Sequence, residues 1–305
     1  WALKVGTEMS DVRQRGDRPS PALRVRWSIA DRLVFQKIKQ RFGGKIRFFI
    51  SGGAPLSPEI ARFFHACDLL VLEGYGLTES AAASCVNRLD DYRFGTVGPP
   101  MPGCEIRVAE DGEILIKSRG VMKGYHNHPE DTAAAITEDG WLHTGDVGVI
   151  LESGHLRITD RKKDLIVTAG GKNIAPAHFE QLLGGQTSSI AHVVMHGDRR
   201  PFCSALIAID EEVVGRWART QNLSFADYAD LTRKPEVIQF VQEQVDAVNS
   251  TLPPYEQVRA FHLIDAPLTQ ENGALTPTLK VKRRLVAQRY AVVLDAFYEG
   301  TLAKV

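Results

Sequence analysis

Glu79, Asp146 and Lys280 are the side chains best placed for chemistry, each in a loop-like stretch beside short apolar runs. Glu79 stands in Gly74-Tyr75-Gly76-Leu77-Thr78-Glu79-Ser80, after the apolar run Leu69–Leu72. A carboxylate on a loop after a buried strand suits a hard cation, because Mg²⁺ takes oxygens from one or two carboxylates plus phosphate. Thr78-Glu79-Ser80 equally reads as the capped start of a helix at Ser80. Asp146, in Thr144-Gly145-Asp146, has a short carboxylate that accepts two ligand hydroxyls or closes an Asx-turn between strands. Lys280 belongs to Gly273-Ala274-Leu275-Thr276-Pro277-Thr278-Leu279-Lys280-Val281-Lys282-Arg283. Thr276-Pro277-Thr278 restricts that backbone and presents the lysine from a loop. A compact cation there could neutralise negative charge developing on a bound ligand. With Lys282, Arg283 and Arg284 beside it, Lys280 also fits the solvated start of a helix. Gly52-Gly53-Ala54-Pro55 and Gly170-Gly171 permit close backbone approach to a ligand or make ordinary turns. His192 and His196 are four apart on a β-like run, so no metal site is expected from them. His143 receives no role.

The elements that must hold these groups change character along the chain. Residues 1–23 are polar and weakly periodic, and read as loop or frayed helix. From Val25 to Arg41, Ile29, Leu33, Phe35 and Ile38 follow helical spacing. Lys45–Ile50 is a short β-like run leading to Ser51-Gly52-Gly53-Ala54-Pro55, then a helix over Glu59–Ala66 with Ser57 as N-cap and Pro58 in its first turn. Strand, glycine turn and helix predict an α/β layer over 1–94. Glu105–Val108, Glu113–Lys117, Val147–Leu151 and His155–Thr159 alternate between Gly and Asp punctuation, predicting a β-rich subdomain over 95–160. A short helix, Pro129–Ile136, interrupts it, capped by Asn127 or His128. After Arg161 the pattern is α+β: a strand at Leu165–Thr168, strands His192–His196, Phe202–Ile209 and Val258–Ile264, helices near Ala177–Leu183, Glu211–Thr220 and Glu236–Leu252, and a terminal helix from Val281 to Tyr298. The predicted division is 1–160 and 161–305.

Composition narrows the class. The 305 residues suffice for two cores. Lys plus Arg equals Asp plus Glu at 37 each, so no bulk charge calls for nucleic acid. Cys67, Cys85, Cys104 and Cys203 form no CxxC pair or metal spacing, which reads as free thiols in a cytoplasmic protein. No run approaches a membrane span, while peripheral contact with a membrane stays open.

Four motifs in order resemble the second half of adenylate-forming enzymes, closest to long-chain fatty acid–CoA ligases. They are Gly74–Ser80, Thr144–Asp146, Asp160-Arg161-Lys162-Lys163-Asp164-Leu165-Ile166-Val167-Thr168-Ala169-Gly170-Gly171-Lys172-Asn173-Ile174, and the Lys280 loop. Gly120-Val121-Met122-Lys123-Gly124-Tyr125 and Asp139-Gly140-Trp141-Leu142-His143-Thr144-Gly145-Asp146 are similar to the linking text of acyl-CoA ligases, and Thr168–Ile174 looks like the long-chain subgroup. The match runs from about Lys45 to Arg284. Residues 1–50 contain no Ser/Thr/Gly-rich phosphate loop, and the chain opens on Trp1, so the sequence is expected to be a fragment of a longer protein.

The resemblance implies the remainder of a large α/β adenylation domain with a β-rich subdomain, followed by a small mobile α+β C-terminal domain. It implies Glu79 holding Mg²⁺ on ATP phosphates, Thr78 contacting phosphate, Tyr75 and Gly76 against adenine, and Gly52, Gly53, Ala54 and Pro55 lining the opposite side. Asp146 and Arg161 would share the ribose, Asp160 would be the hinge, and Gly170, Gly171 and Lys172 would border a pantetheine tunnel for CoA. Lys280 would bridge the carboxylate and the α-phosphate. The implied reaction joins a fatty acid to CoA through acyl-AMP, with ATP, Mg²⁺ and CoA required and the isolated chain inactive. Two other readings are an acyl-AMP ligase that loads a carrier protein, and a non-catalytic nucleotide-binding module.

Overall fold

A computed structural model describes residues 1–299 and divides into two compact units, Trp1–Lys162 and the residues from Lys163 onward. The first unit opens on helices α1 (Ala2–Gln14) and α2 (Pro21–Ala30), a π-helical turn (Asp31–Phe35) and α3 (Gln36–Arg41). Strand β1 (Phe48–Gly52), helix α4 (Pro58–Ala66), strand β2 (Leu70–Leu77), a 3₁₀ turn (Thr78–Ser80) and strand β3 (Ala82–Val86) follow. In their sheet β1 runs parallel to β2 and β3 antiparallel to it. The α4 start is set as its sequence suggests: Pro58 occupies the first turn and Ser57 Oγ accepts the Ile60 N–H at 3.4 Å.

Of the two readings of the N-terminus, loop or frayed helix, the chain takes a helix, the ordered α1. Its apolar stripe is narrow, essentially Val5 and Met9, which is why its periodicity is weak. Gly6 faces α4 so closely that a Cβ would stand 2.4 Å from the Ala66 carbonyl oxygen.

The β-rich part is an antiparallel four-stranded sheet in chain order: β4 (Cys104–Val108), β5 (Glu113–Ser118), β6 (Leu142–Ile150) and β7 (Leu156–Arg161). Helix α5 (Pro129–Ala135) lies between β5 and β6, and His128 is its N-cap without a capping side-chain bond. Ile114, Ile116, Leu142 and Leu156 form the sheet's core with Tyr75 and Cys85 of the preceding layer. Strand β6 starts five residues before the expected Val147, so Thr144-Gly145-Asp146 lies within a strand and not between strands.

The second unit begins with the two-residue strands β8 (Ile166–Val167) and β9 (Asn173–Ile174), shorter than the expected Leu165–Thr168. Helix α6 (Pro176–Gln186), strands β10 (Ile190–His196) and β11 (Cys203–Ile209), helices α7 (Glu211–Thr220), α8 (Tyr228–Arg233) and α9 (Pro235–Asn249), and strand β12 (Val258–Leu263) follow. Strand β11 is central, antiparallel to β10 and parallel to β12, and every residue of it is buried. Val237, Val241, Val245 and Val248 put the apolar face of α9 into the same core.

The single terminal helix expected over Val281–Tyr298 is two short helices, α10 (Arg283–Arg289) and α11 (Ala291–Ala296). The break falls at Tyr290, whose hydroxyl donates to Asp265 Oδ1 at 2.8 Å. The start is delayed because Val281 bridges Leu275 in extended conformation.

Candidate active site

Within the first unit, β2 carries the chain into a tightly constrained turn. Strand β3 returns so close that a Cβ on Gly76 would lie 1.5 Å from the Ala82 carbonyl oxygen, so no side chain fits there. Ala81 and Ala82 take φ of +55° and +83°, a left-handed backbone that costs an L-residue about 1–2 kcal/mol each. Ser80 ties the turn shut: its Oγ accepts the Leu77 N–H at 3.0 Å and donates to the Leu77 carbonyl at 3.1 Å. The turn leaves Thr78 exposed and Glu79 half-buried. Tyr125 donates its hydroxyl to Glu79 Oε1 at 3.0 Å, and the Met122 N–H bonds the Glu79 carbonyl at 2.7 Å. Instead of starting a regular helix at Ser80, Thr78-Glu79-Ser80 forms one 3₁₀ turn.

Tyr75, Asp146 and Arg161 converge, although 71 residues separate the first two. The buried Tyr75 hydroxyl donates to Asp146 Oδ2 at 2.7 Å, and Arg161 Nε lies 3.0 Å from Asp146 Oδ1. Burial, reinforced by the Asp146 charge, pushes the Tyr75 phenol well above its ordinary range. Tyr75 therefore stays a donor. Asp160 is buried one residue before Arg161, and its Oδ1 accepts the Arg161 N–H at 2.7 Å.

Gly52 ends β1 opposite Gly74, and a Cβ there would approach the Gly74 carbonyl to 3.3 Å. Gly53 follows with φ +78°, and Ala54 and Pro55 are exposed. Glu73 fastens the far end of this loop, accepting the Leu56 N–H at 3.4 Å. Burial pushes the Glu73 carboxyl up to about 7 against its backbone hydrogen bonds. A cleft of about 600 Å³ is lined by Tyr125, the partner of Glu79, and by Thr144 and Gly145, which precede Asp146.

Glu79 fits a metal carried on phosphate better than a metal held by protein alone. Among the described residues no three His, Cys, Asp or Glu side chains gather as a metal cage. A single carboxylate with its second oxygen open is what Mg²⁺ bound to a polyphosphate requires of a protein.

In the second unit Lys280 is exposed on a tight loop closed by the Leu275–Val281 bridge. Thr276 Oγ1 accepts the Lys280 N–H at 3.0 Å, the Thr276 N–H bonds the Lys280 carbonyl at 2.8 Å, and Leu279 takes φ +61°. Lys280 thus stands in the loop ahead of α10 and not at a helix start. Separately, Thr168 closes the turn over Gly170, Gly171 and Lys172, accepting the Lys172 N–H on Oγ1 at 3.2 Å. Gly171 has φ +74°, and the Lys172 ammonium lies 5.8 Å from the centre of the Tyr255 ring. His192 and His196 sit on β10, where burial lowers both imidazoles.

Sequence reasoning passed over Tyr125, Glu113 and Lys162. Tyr125 lies in a stretch the sequence singled out, but nothing local points it at Glu79. Glu113 opens the run Glu113–Lys117 and receives no role from the sequence, yet only 6% of its side chain is exposed. It accepts from Gly145 N–H at 2.9 Å, His143 Nδ1 at 3.1 Å and Lys162 Nζ at 2.9 Å. Burial works against its charge, but these bonds outweigh burial and hold the carboxyl below the usual glutamate range.

Comparison with known proteins agrees along both units. Residues 22–126 match the AMP-binding enzyme family, and residues 163–302 match the AMP-binding enzyme C-terminal domain. Long-chain-fatty-acid–CoA ligase FadD15 of Mycobacterium bovis is 39% identical over 298 residues, 97% of this chain and 49% of the relative. The peroxisomal long chain acyl-CoA synthetase 6 of Arabidopsis thaliana is 36% identical over 291 residues, 89% of this chain and 41% of the relative. The crystal structure of a carboxylate reductase adenylation domain from Mycobacterium chelonae superposes with a TM-score of 0.70 at 25% identity, over 98% of this chain and 45% of that one. The chain spans about half the length of the curated relatives it matches.

Proposed function

The chain belongs to the AMP-binding enzyme family, and on that premise we propose that the whole protein activates a long-chain fatty acid with ATP and passes it to CoA. The fatty carboxylate attacks the α-phosphorus and expels pyrophosphate, giving acyl-AMP; the CoA thiolate then attacks the acyl carbonyl and expels AMP. The observation that carries this reading is the Tyr75–Asp146–Arg161 set, a buried tyrosine and aspartate met by an exposed arginine, all within hydrogen-bond distance.

In this reading Tyr75 and Gly76 flank adenine, with Gly52, Gly53, Ala54 and Pro55 on its other side. Asp146 and Arg161 hold the ribose hydroxyls, and Thr78 donates to phosphate. Glu79 would hold Mg²⁺, which offsets phosphate charge when bound. Tyr125 orients that carboxylate through the 3.0 Å bond on Oε1. Lys280 stabilises the charge of the adenylation transition state, and Gly170, Gly171 and Lys172 serve the pantetheine arm in the second half-reaction. A turn about Asp160 exchanges the two sets of groups, as domain rotations do in other enzymes. The four free cysteines suit a reducing cytoplasmic setting.

The test is product analysis by mass with the whole protein, ATP, Mg²⁺ and fatty acids of graded length, with and without CoA. Acyl-CoA formed only when CoA is present, best on long acids, is the expected result. Acyl-AMP that accumulates and ignores CoA would replace CoA with a carrier protein as acceptor, and neither acyl-AMP nor acyl-CoA under any condition would overturn the reading.

A further inference from the structure

We infer that Glu113 is a positioning residue for the nucleotide's ribose, holding both ends of the Asp146–Arg161 pair in register. This rests on the assignment of Asp146 and Arg161 to the ribose.

The ladder between β5 and β6 requires such a group. Glu113 pairs with Val147, but Leu115 pairs with His143, so β6 uses four steps where β5 uses two. The surplus residues bulge around Thr144-Gly145-Asp146, with Gly145 at φ +68°. A bulge leaves ladder groups without backbone partners, and here side chains supply them. Thr144 Oγ1 donates to the Ile114 carbonyl at 2.7 Å and accepts the Asp146 N–H at 3.1 Å. Glu113 Oε1 takes the Gly145 N–H. The bulge therefore keeps one shape, and that shape turns the Asp146 carboxylate toward Tyr75 and Arg161.

The second oxygen of Glu113 reaches the other strand. Oε2 accepts from Lys162 Nζ, which also pairs with Asp111 at 2.7 Å. Lys162 directly follows Arg161, whose register partner on β6 is Asp146. One buried carboxylate thus grips the residue before Asp146 and the residue after Arg161. Charge-assisted bonds of this kind are stronger than neutral ones.

The test measures equilibrium binding of AMP and of 2′,3′-dideoxy-AMP to the whole protein. The wild type should prefer AMP by roughly tenfold or more, the worth of one hydrogen bond to a charged group. Glu113→Gln turns the oxygen facing Lys162 and His143 into an NH₂ and should remove most of that preference, with affinity for the dideoxy nucleotide nearly unchanged. A merely structural role would lower stability or weaken both nucleotides alike. A folded Glu113→Gln protein that keeps the wild-type ratio overturns the inference. If that variant does not fold, Lys162→Met decides: it should lower the ratio about threefold as one of three bonds is lost, and an unchanged ratio overturns the inference. A wild type that binds both nucleotides equally overturns the ribose assignment and the inference with it.

Discussion

Two buried ionisable groups in the first unit should hide each other's pH dependence. His65 is 5% exposed, with Nδ1 2.7 Å from Ser10 Oγ and Nε2 2.9 Å from the Tyr92 hydroxyl. Burial, with the Arg13 charge adding, lowers it from 6.5 to about 4. The unfolded chain therefore takes the proton first, and stability is lost as pH falls from 6.5 toward 4. Glu73 behaves oppositely: burial raises it from 4.5 to about 7, so the folded chain takes the proton first and stability is lost as pH rises from 4.5 toward 7. At 1.36 kcal/mol for each pH unit of displacement, each group changes stability by about 2 kcal/mol between pH 4.5 and pH 6.5, with opposite signs. The pair nearly cancels. Glu73→Gln should unmask His65, so that the variant gains about 2 kcal/mol on the wild type on going from pH 4.5 to pH 6.5. His65→Gln should lose a similar amount over the same range. Urea titrations read by hydrogen exchange of peptides from α1, α4 and β2 report this unit alone, and subtracting the wild type removes the titrations common to both proteins. A Glu73→Gln difference that stays flat to within about 0.5 kcal/mol would refute the assigned burial of Glu73.

Other consequences concern the proposed chemistry and its frame. Lys280→Ala should cut acyl-AMP formation on the order of 10²–10³-fold while supplied acyl-AMP still becomes thioester; equal losses in both half-reactions would count against its role. Glu79→Gln should raise the Mg²⁺ concentration needed for half-maximal adenylation about tenfold, measured by pyrophosphate release, and an unchanged requirement would remove Glu79 from the metal. Gly76→Ala should destabilise the first unit by about 1–3 kcal/mol because β3 must move away from the new methyl; an unchanged urea midpoint would mean the turn is looser than its geometry.

The motifs were legible because each depends on local backbone. Gly76 and the Thr276-Pro277-Thr278 loop are constrained within a few residues, so their spacing survives in the sequence. The helix α7 over Glu211–Thr220 was legible for the same reason, with Asp210 accepting the Val213 N–H at its start. What sequence could not give was decided at long range. Helix α1 is fixed by Gly6 against Ala66, and the break at Tyr290 by Asp265, 25 residues away. Glu113 gave no local signal because its partners come from two other stretches of chain. Lys162, one of them, lies 49 residues on.

Strand β2 joins the pH-sensitive core to the nucleotide motif. Residues two apart on a strand share a face, so Glu73, Tyr75 and Leu77 lie in one row, with Gly74 and Gly76 on the other. The Gly74 side faces Gly52 in register, which lets the Gly52–Pro55 loop run close to the sheet. Glu73 holds that loop through Leu56, and Tyr75 holds Asp146. Ionising Glu73 raises the cost of its burial by more than its bond to the Leu56 N–H returns. The loop beside the proposed adenine pocket should therefore open more readily as pH rises from 4.5 toward 7. Hydrogen exchange at Leu56 should quicken across that range beyond the intrinsic rise in exchange rate, and Glu73→Gln should abolish the excess. An excess that persists in the variant would assign the effect to another group.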